Sequence, residues 1–135
     1  MSIQPKLSTN NQVYKRGDIW FADLGQNMDS EMSGKRPVVI IQNDIGNVHT
    51  PNTIVTPVSS IPKNVPTHVY LDAELNGLDK ESYVLTEHIL TISKRKLKKR
   101  LSSVHPKDMS KIEDKLLFSC GIKLKNPSEY SKSMG

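Results

Sequence analysis

The sequence predicts a small domain that is mainly β, with one α-helix near its C-terminal end. Three observations predict this class: six short runs rich in branched and aromatic residues, an unbroken Val/Ile run at residues 38–41, and a helical pattern that starts at Pro106. Short strands separated by turn formers at about ten-residue spacing are typical of a small barrel or a strongly curled sheet. At 135 residues the chain has room for one core and one domain.

The six predicted strands are Ile19–Leu24, Val38–Ile41, Thr53–Ser59, Thr67–Leu71, Ser82–Thr86 and His88–Ser93. The first contains Trp20, the only tryptophan, which we expect to anchor the core. The four β-branched residues of the second favour a strand buried on both faces, because such side chains pack well on a pleated surface. Pro57 in the third strand predicts a sheet edge or a bulge, since proline has no N–H to donate.

Arg36 and Pro37 stand at the start of the second strand. Proline is tolerated at that position, and it restricts the preceding residue to an extended conformation. The strand therefore holds the Arg36 guanidinium at the rim of the sheet, where a charge is well placed to meet a ligand. A surface salt bridge is the competing interpretation of this arginine.

A ten-residue loop, 25–34, precedes this strand and is bounded by glycines. Loops longer than the connection needs are often functional. This one brings Ser30 and Glu31 close in sequence to Arg36. We expect Glu31 either to neutralise Lys35 or Arg36, to accept a proton, or to move aside for an anionic ligand.

Two polar segments lie outside the predicted strands. Residues 43–52 are dense in turn formers and predict a turn. Residues 94–100 hold six cations in seven residues and predict a short helical turn with Leu97 pointing inward. Taken alone, such a run is more typical of a solvated face than of a binding site.

The C-terminal helix is predicted to begin at Pro106 and to stop at Gly121. Proline is common in the first helical turn, and glycine is common just past the last one. The apolar residues that recur at helical spacing are Met109, Ile112, Leu116, Leu117 and Cys120. We expect this face, including the methionine and the cysteine, to pack against the sheet.

Residues 1–13 are predicted to be a flexible lead and residues 122–135 a flexible tail, which leaves 14–121 as the folded domain. No apolar run has the length of a signal-peptide core or of a membrane span. The single cysteine excludes an internal disulfide framework and suits a reducing compartment. We therefore expect a cytoplasmic protein that makes no membrane contact.

The net charge is +5, from 19 Lys and Arg against 14 Asp and Glu, and the pI is near 9.3. This balance favours an anionic partner, whether nucleic acid, an acidic protein or anionic lipid. An aromatic content of 5% argues against a wide platform for base stacking. The four histidines are scattered, without a cysteine cluster or an i, i+4 pair, so the sequence predicts no metal site.

Five motifs follow one another in a specific order and spacing. They are Lys15–Leu24, Asp29–Pro37, Val38–Asp44, Pro66–Val69 and Glu87–Ile92. Over roughly residues 14–121 the chain thereby resembles the MazF/PemK family of toxin endoribonucleases from bacterial toxin-antitoxin modules. The resemblance implies an SH3-like barrel of the CcdB/PemK type and a homodimer. It also implies that single-stranded RNA, including mRNA, is cleaved at short sequences without metal or cofactor. A cognate antitoxin would neutralise the toxin and bind DNA with it.

The resemblance also assigns site residues position by position. The family's catalytic arginine falls on Arg36, and its catalytic threonine falls on Ser59, which keeps the hydroxyl and lacks the methyl group. His88 stands where the family usually has glutamine, and Leu90 stands where it usually has an arginine that bears on substrate preference. The expected RNA-binding residues are Ser30, Lys35, Asn43, Thr67, His68 and Glu87.

RNA carries its own nucleophile, the 2′-hydroxyl. Metal-free cleavage therefore needs removal of that proton, stabilisation of the negative phosphorane, and protonation of the departing 5′-oxygen. The products are a 2′,3′-cyclic phosphate and a 5′-hydroxyl. The planar fork of Arg36 suits the phosphorane, and Ser59 would hold a phosphate oxygen or the 2′-hydroxyl. Glu31 and His88 are the candidates for proton transfer, although a single histidine on a strand is often structural.

Two other functions compete with the endoribonuclease. A non-catalytic member that binds RNA or antitoxin is motivated by Ser59 and Leu90, and a topoisomerase poison of the CcdB type by the related fold. Arg36, Pro37 and the loop 25–34 that precedes them favour the ribonuclease over the topoisomerase poison. The groove of the ribonuclease would have the loops 25–34 and 60–67 as walls for splayed bases. The basic run 94–100 would then steer RNA or meet an acidic antitoxin.

Overall fold

The computed structural model describes residues 12–26 and 32–124. The predicted lead and tail lie mostly outside the described residues, and Ser30 and Glu31 lie outside them entirely. The strands are β1 (Asp18–Asp23), β2 (Lys35–Ile40), β3 (Asn52–Ser59), β4 (His68–Leu71), β5 (Ser82–Leu85), β6 (Leu90–Ser93) and β7 (Leu97–Ser103). The helices are α1 (Asp44–His49), a 3-10 turn (Lys94–Lys96) and α2 (Pro106–Cys120).

The described strands form one antiparallel sheet in the order β4-β5-β3-β2-β1-β7, and β6 pairs with β3. Along one side of β3, residues 52–55 pair with β6 and residues 58–59 pair with β5. Pro57 lies between these two paired stretches, where a missing N–H costs no ladder bond on that side. The irregularity predicted at Pro57 is thus a corner, at which the curled sheet changes direction.

The centre of β2 is buried on both faces of the sheet, as predicted. Val38, Val39 and Ile40 are all fully buried. Val39 packs in one apolar cluster with Ile19, whereas Val38 and Ile40 pack in a second cluster with Trp20. Trp20 is only 3% exposed, so its predicted role as a core anchor is confirmed.

Helix α2 covers the first apolar cluster. Its Ile112 is fully buried, and Met109 and Leu116 pack against the same cluster. The helix ends at Gly121, whose φ of 69° is the left-handed conformation that glycine adopts most easily. No helix in the described part of the chain is long and apolar enough to cross a membrane.

The prediction that Cys120 packs in the core is wrong. Cys120 is exposed. The buried stripe of α2 narrows toward its C-terminal end, where Leu116 and Leu117 are already only partly buried and Phe118 is 62% exposed. The cysteine lies in the last turn of the helix, on its exposed side.

The prediction of a turn at residues 43–52 is also wrong, because this segment contains helix α1. Asn43 caps it, and Asn47 is 3% exposed and ties it to the sheet. The Asn47 amide nitrogen donates to the Gln42 carbonyl at 3.0 Å, and its amide oxygen accepts from the Thr53 hydroxyl at 2.7 Å. Tertiary hydrogen bonds therefore hold a helix that is too short to form alone.

The basic run 94–100 is only partly the helical turn that was predicted. The 3-10 turn is limited to Lys94–Lys96, and the chain then continues as strand β7, which pairs with β1. Leu97 points inward and is 5% exposed, as expected. The cations of β7 lie at the end of the sheet, where Lys side chains discourage pairing with other chains.

Candidate active site

A cleft of about 270 Å³ opens between β2, the end of β3 and the loops that follow β3 and β5. Five residues predicted from the sequence line it: Arg36, Ser59, His68, Glu87 and His88. The remaining wall is mostly apolar and comes in part from the loop 60–67, as predicted. Residues far apart in the sequence are thus brought to one place.

The strand register explains why Arg36 and Ser59 meet. Strands β2 and β3 pair with Val38 opposite Pro57. Arg36 comes two residues before Val38, and Ser59 comes two residues after Pro57, so the pairing brings both to the same end of these two strands. Both side chains line the cleft.

The Arg36 guanidinium is half-buried and held by weak, neutral partners. Its Nε donates to the backbone oxygen of Ser33 at 3.3 Å, and its Nη1 lies 3.9 Å from the sulfur of Met32. No carboxylate of the described residues forms an ion pair with it. Within that part of the chain its positive charge is uncompensated, which suits an anionic ligand.

Ser59 is the last residue of β3 and is partly exposed. Its Oγ accepts a hydrogen bond from the backbone N–H of Ile61 at 3.1 Å. This bond fixes the oxygen at the start of the loop that walls the cleft. Because a hydroxyl that accepts can also donate its proton, Ser59 can still bond to a ligand oxygen.

Glu87 is the centre of a hydrogen-bonded cluster. One carboxylate oxygen accepts from the Thr67 hydroxyl at 2.7 Å, and the other accepts from His68 Nε2 at 2.9 Å. His88 Nε2 lies 3.7 Å from the second oxygen. Burial raises the pKa of Glu87, but the hydrogen bonds from Thr67 and His68 outweigh it, so the net pKa is below its ordinary value. The carboxylate is therefore ionised at neutral pH.

His68 has one ring nitrogen with a partner and one without. Its side chain is 8% exposed. Since a carboxylate only accepts, the proton lies on Nε2, facing Glu87. Nδ1 is buried and is the only buried side-chain N or O atom of the described residues without a hydrogen-bond partner. A buried polar atom without a partner calls for an explanation, and a ligand bound in the adjoining cleft would supply one.

The structure does not bring all predicted RNA-binding residues into the cleft. Lys35 is exposed and lies outside the cleft lining. Asn43 is occupied as the cap of α1, where its side-chain oxygen accepts from the N–H of Gly46 at 2.8 Å. Thr67 acts on the cleft only through Glu87. Ser30 and Glu31 lie outside the described residues.

Lys63 lines the cleft and is absent from the predicted set. A signal for it exists in the sequence, since it is the only cation of the loop 60–67 that was expected to form a wall. Among the described residues, no group of three or more His, Cys, Asp or Glu side chains is arranged to hold a metal ion. Arg36 and Lys63 are the arginine and lysine side chains that line the cleft.

Comparison with known proteins decides the family. Residues 15–119 match the family described as PemK-like, MazF-like toxins of type II toxin-antitoxin systems. The chain belongs to this toxin family. The endoribonuclease EndoA of Bacillus subtilis is 40% identical to it over 112 residues, which are 82% of this chain and 97% of EndoA.

Solved structures of MazF-type proteins share the fold. MazF from Deinococcus radiodurans superposes with a TM-score of 0.74 at 22% identity, covering 83% of this chain and 100% of that one. A mycobacterial endoribonuclease in complex with its cognate antitoxin gives a TM-score of 0.71 at 27% identity, covering 83% and 99%. The family resemblance and the fold class predicted from the sequence are both confirmed.

Proposed function

We propose that this PemK/MazF-like toxin is an endoribonuclease that cuts single-stranded RNA, mRNA included, at short sequences and so inhibits translation. The observation that carries the proposal is the shared cleft of Arg36 and Ser59. EndoA, the 40% identical relative, is named as an endoribonuclease. A cationic fork and a hydroxyl side by side match what metal-free cleavage of a phosphodiester requires.

The scissile phosphate lies between these two side chains. Arg36 donates two hydrogen bonds to its non-bridging oxygens, and Ser59 donates one to a phosphate oxygen or to the 2′-hydroxyl. These bonds strengthen as the phosphorane gains negative charge, so they lower the barrier rather than only binding the substrate. The cut leaves a 2′,3′-cyclic phosphate and a 5′-hydroxyl.

Proton transfer falls to His88 and Glu31. His88 lines the cleft, and an imidazole can both accept the 2′-hydroxyl proton and donate one to the leaving oxygen. Glu31, from outside the described part, remains the second candidate. Glu87 binds RNA instead, because an ionised carboxylate accepts hydrogen bonds from base N–H groups and its two oxygens are already oriented by Thr67 and His68.

The partners of the toxin follow from its family. We infer a homodimer that acts in the cytoplasm and is neutralised by a cognate antitoxin, with which it binds DNA. The mycobacterial endoribonuclease that was solved in complex with its cognate antitoxin supports the inferred antitoxin partner. The positive net charge suits both an acidic antitoxin and RNA.

The test is cleavage of a mixed-sequence single-stranded RNA in excess chelator, with the new ends mapped. We expect discrete cuts with 5′-hydroxyl ends, and a loss of about 1,000-fold or more in Arg36→Ala, as for other residues that stabilise transferring phosphates. Arg95→Ala is the matched control, because it removes the same charge from an exposed site outside the cleft. It should cause at most a small, salt-sensitive loss.

Three results would contradict the proposal. Cutting that starts only when Mg²⁺ is added would defeat the metal-free mechanism. Equal cutting by Arg36→Ala and the unchanged protein would remove Arg36 from the site. RNA binding without any cleavage would instead support the non-catalytic alternative.

A further inference from the structure

Two tyrosines lie in register with Ser59, one of the two proposed catalytic residues. Ser59 of β3 is opposite Tyr83 of β5, and Tyr83 is opposite Tyr70 of β4. Residues in register on antiparallel strands point to the same face. Across three neighbouring strands the row therefore reads Ser59, Tyr83, Tyr70, with about 4.7 to 4.9 Å between strands.

The two rings form a pair that is open to solvent and held in place. Their centroids are 5.7 Å apart and their planes are tilted by 43°. Tyr70 is 51% exposed. Its hydroxyl donates to the carboxylate of Glu81, which also accepts the backbone N–H of Ala73 at 2.8 Å. The ring is therefore tethered at its polar tip while its face remains accessible.

The tyrosine pair lines a cavity that continues the active cleft. This cavity has a volume of about 420 Å³. Lys63, Val65 and His68 line both it and the cleft. A polymer bound with its phosphate at Arg36 therefore has a direct path to the tyrosines, and Lys63 provides a positive charge along that path.

We propose that Tyr70 and Tyr83 form a stacking subsite for a nucleobase of the substrate strand, close to the scissile phosphate. The inference rests on the proposed function, and it concerns a nucleobase of the substrate that Arg36 and Ser59 do not contact. Stacking accepts any base, because every base has a π-face. The subsite therefore positions the strand, while sequence preference comes from polar groups such as Glu87.

A purely structural role for the pair makes a different prediction. Cross-strand aromatic pairs stabilise neighbouring strands without any ligand. In that case the loss of a ring changes the stability of the protein and affects all RNA substrates equally. A stacking subsite instead makes the loss depend on one particular base of the substrate.

The experiment uses a short RNA that contains one mapped cut site, together with variants of it that carry a single abasic nucleotide at each position near the cut. For the unchanged protein, one abasic position should lower kcat/KM by about 5- to 30-fold, as expected for the loss of one stacked base. Tyr70→Ala should lower kcat/KM on the intact RNA by a similar factor and be insensitive to that abasic position. Tyr70→Phe should behave like the unchanged protein.

Phe118→Ala is the matched control, since Phe118 is an exposed aromatic residue on α2 that lines neither cavity. It should leave the abasic profile unchanged. If Tyr70→Ala is as active as the unchanged protein, or if its abasic profile is unaltered, the inference is overturned while the proposed function stands.

Binding separates the two claims further. A labelled RNA should bind Arg36→Ala about 5- to 30-fold more tightly than the double variant Arg36→Ala/Tyr70→Ala, whether or not the protein cleaves it. Equal binding would overturn the subsite. A loss of affinity for an acidic peptide without a loss for RNA would also overturn it, because the occupant would then be a protein.

Discussion

The polar cluster beneath α2 and the polar cluster of the cleft both contain buried polar side chains. They differ in whether the polar atoms of those side chains all have hydrogen-bond partners. Asn76, beneath α2, is 1% exposed. Its amide nitrogen donates to the Asp108 carboxylate at 2.9 Å and to the Asp72 carbonyl at 3.0 Å. Its amide oxygen accepts from the N–H of His105 at 2.8 Å. The cluster is therefore complete without a ligand.

In the cleft, by contrast, the hydrogen-bonding capacity of the described polar side chains is not fully used. His68 has a buried Nδ1 without a partner, and the described partners of Arg36 are one carbonyl and one sulfur atom. Complete polar clusters fix a fold, whereas unsatisfied ones retain capacity for a ligand. We therefore expect substitutions in the first cluster to change stability and substitutions in the second to change activity.

Asn76→Ala should have the largest effect. It leaves one oxygen of the buried Asp108 carboxylate and the backbone N–H of His105 without their partner, so the free energy of unfolding should fall by about 3 to 5 kcal/mol. Urea denaturation measures this change. Asn52→Ala, at an exposed residue at the start of β3, is the control and should be nearly neutral. A small loss in Asn76→Ala would show that the cluster does not fix the fold.

Ser59→Ala should lower the cleavage rate by about 100-fold, or about 2.7 kcal/mol in activation free energy, because one donor to the charged phosphorane is lost. The unfolding midpoint should stay nearly the same, since Ser59 is partly exposed. Ser59→Thr keeps the hydroxyl and should retain or improve activity. Equal rates for all three proteins would mean that the hydroxyl is only structural.

Glu87→Gln should have the smallest effect of these variants, a slight loss of stability that is present at neutral pH and disappears in acid. The folded pKa of Glu87 is below its ordinary value of 4.5. Its contribution is therefore fully present above pH 4.5 and is lost as the pH falls through the folded pKa. Because the side chain is 36% exposed, this amounts to a few tenths of a kcal/mol, on the order expected for screened pairs.

Urea midpoints between about pH 3 and 7 would test this dependence. The unchanged protein should lose more stability on acidification than Glu87→Gln does. Glu74→Gln removes an exposed carboxylate from outside the cluster and should follow the unchanged protein. If the curve of Glu87→Gln also runs parallel to that of the unchanged protein, the carboxylate is not stabilised in the folded state.

The sequence predicts those elements whose local pattern and tertiary burial agree. Strand β2 is an example, because its Val/Ile run is buried on both faces. The missed elements lack such a pattern. Helix α1 has only six residues and depends on hydrogen bonds that Asn47 makes outside the helix, to Thr53 of β3 and to Lys94. Strand β7 has a single buried residue, Leu97, so its pairing with β1 leaves no alternating signal.

The candidate site likewise has a part that the local sequence predicts and a part that it does not. Arg36 stands out locally, because a proline fixes its position at the start of β2. Its proximity to Ser59 depends on the pairing of β2 with β3, which no single segment reveals, so the family resemblance supplied that assignment. Neither a local sequence pattern nor the family resemblance predicted the tyrosine pair. Tyr70 and Tyr83 look like ordinary strand residues until β4 and β5 are placed side by side.

The most direct test of the central claim is a double-mutant cycle on cleavage rate in excess chelator, with Arg36→Ala, Ser59→Ala and the double variant. If both side chains act on the same phosphate, their losses do not multiply, and the double variant should be about as slow as Arg36→Ala alone. All three proteins should unfold near the midpoint of the unchanged protein. Losses that multiply, at unchanged stability, would show that the two side chains act independently and would contradict a shared phosphodiester site.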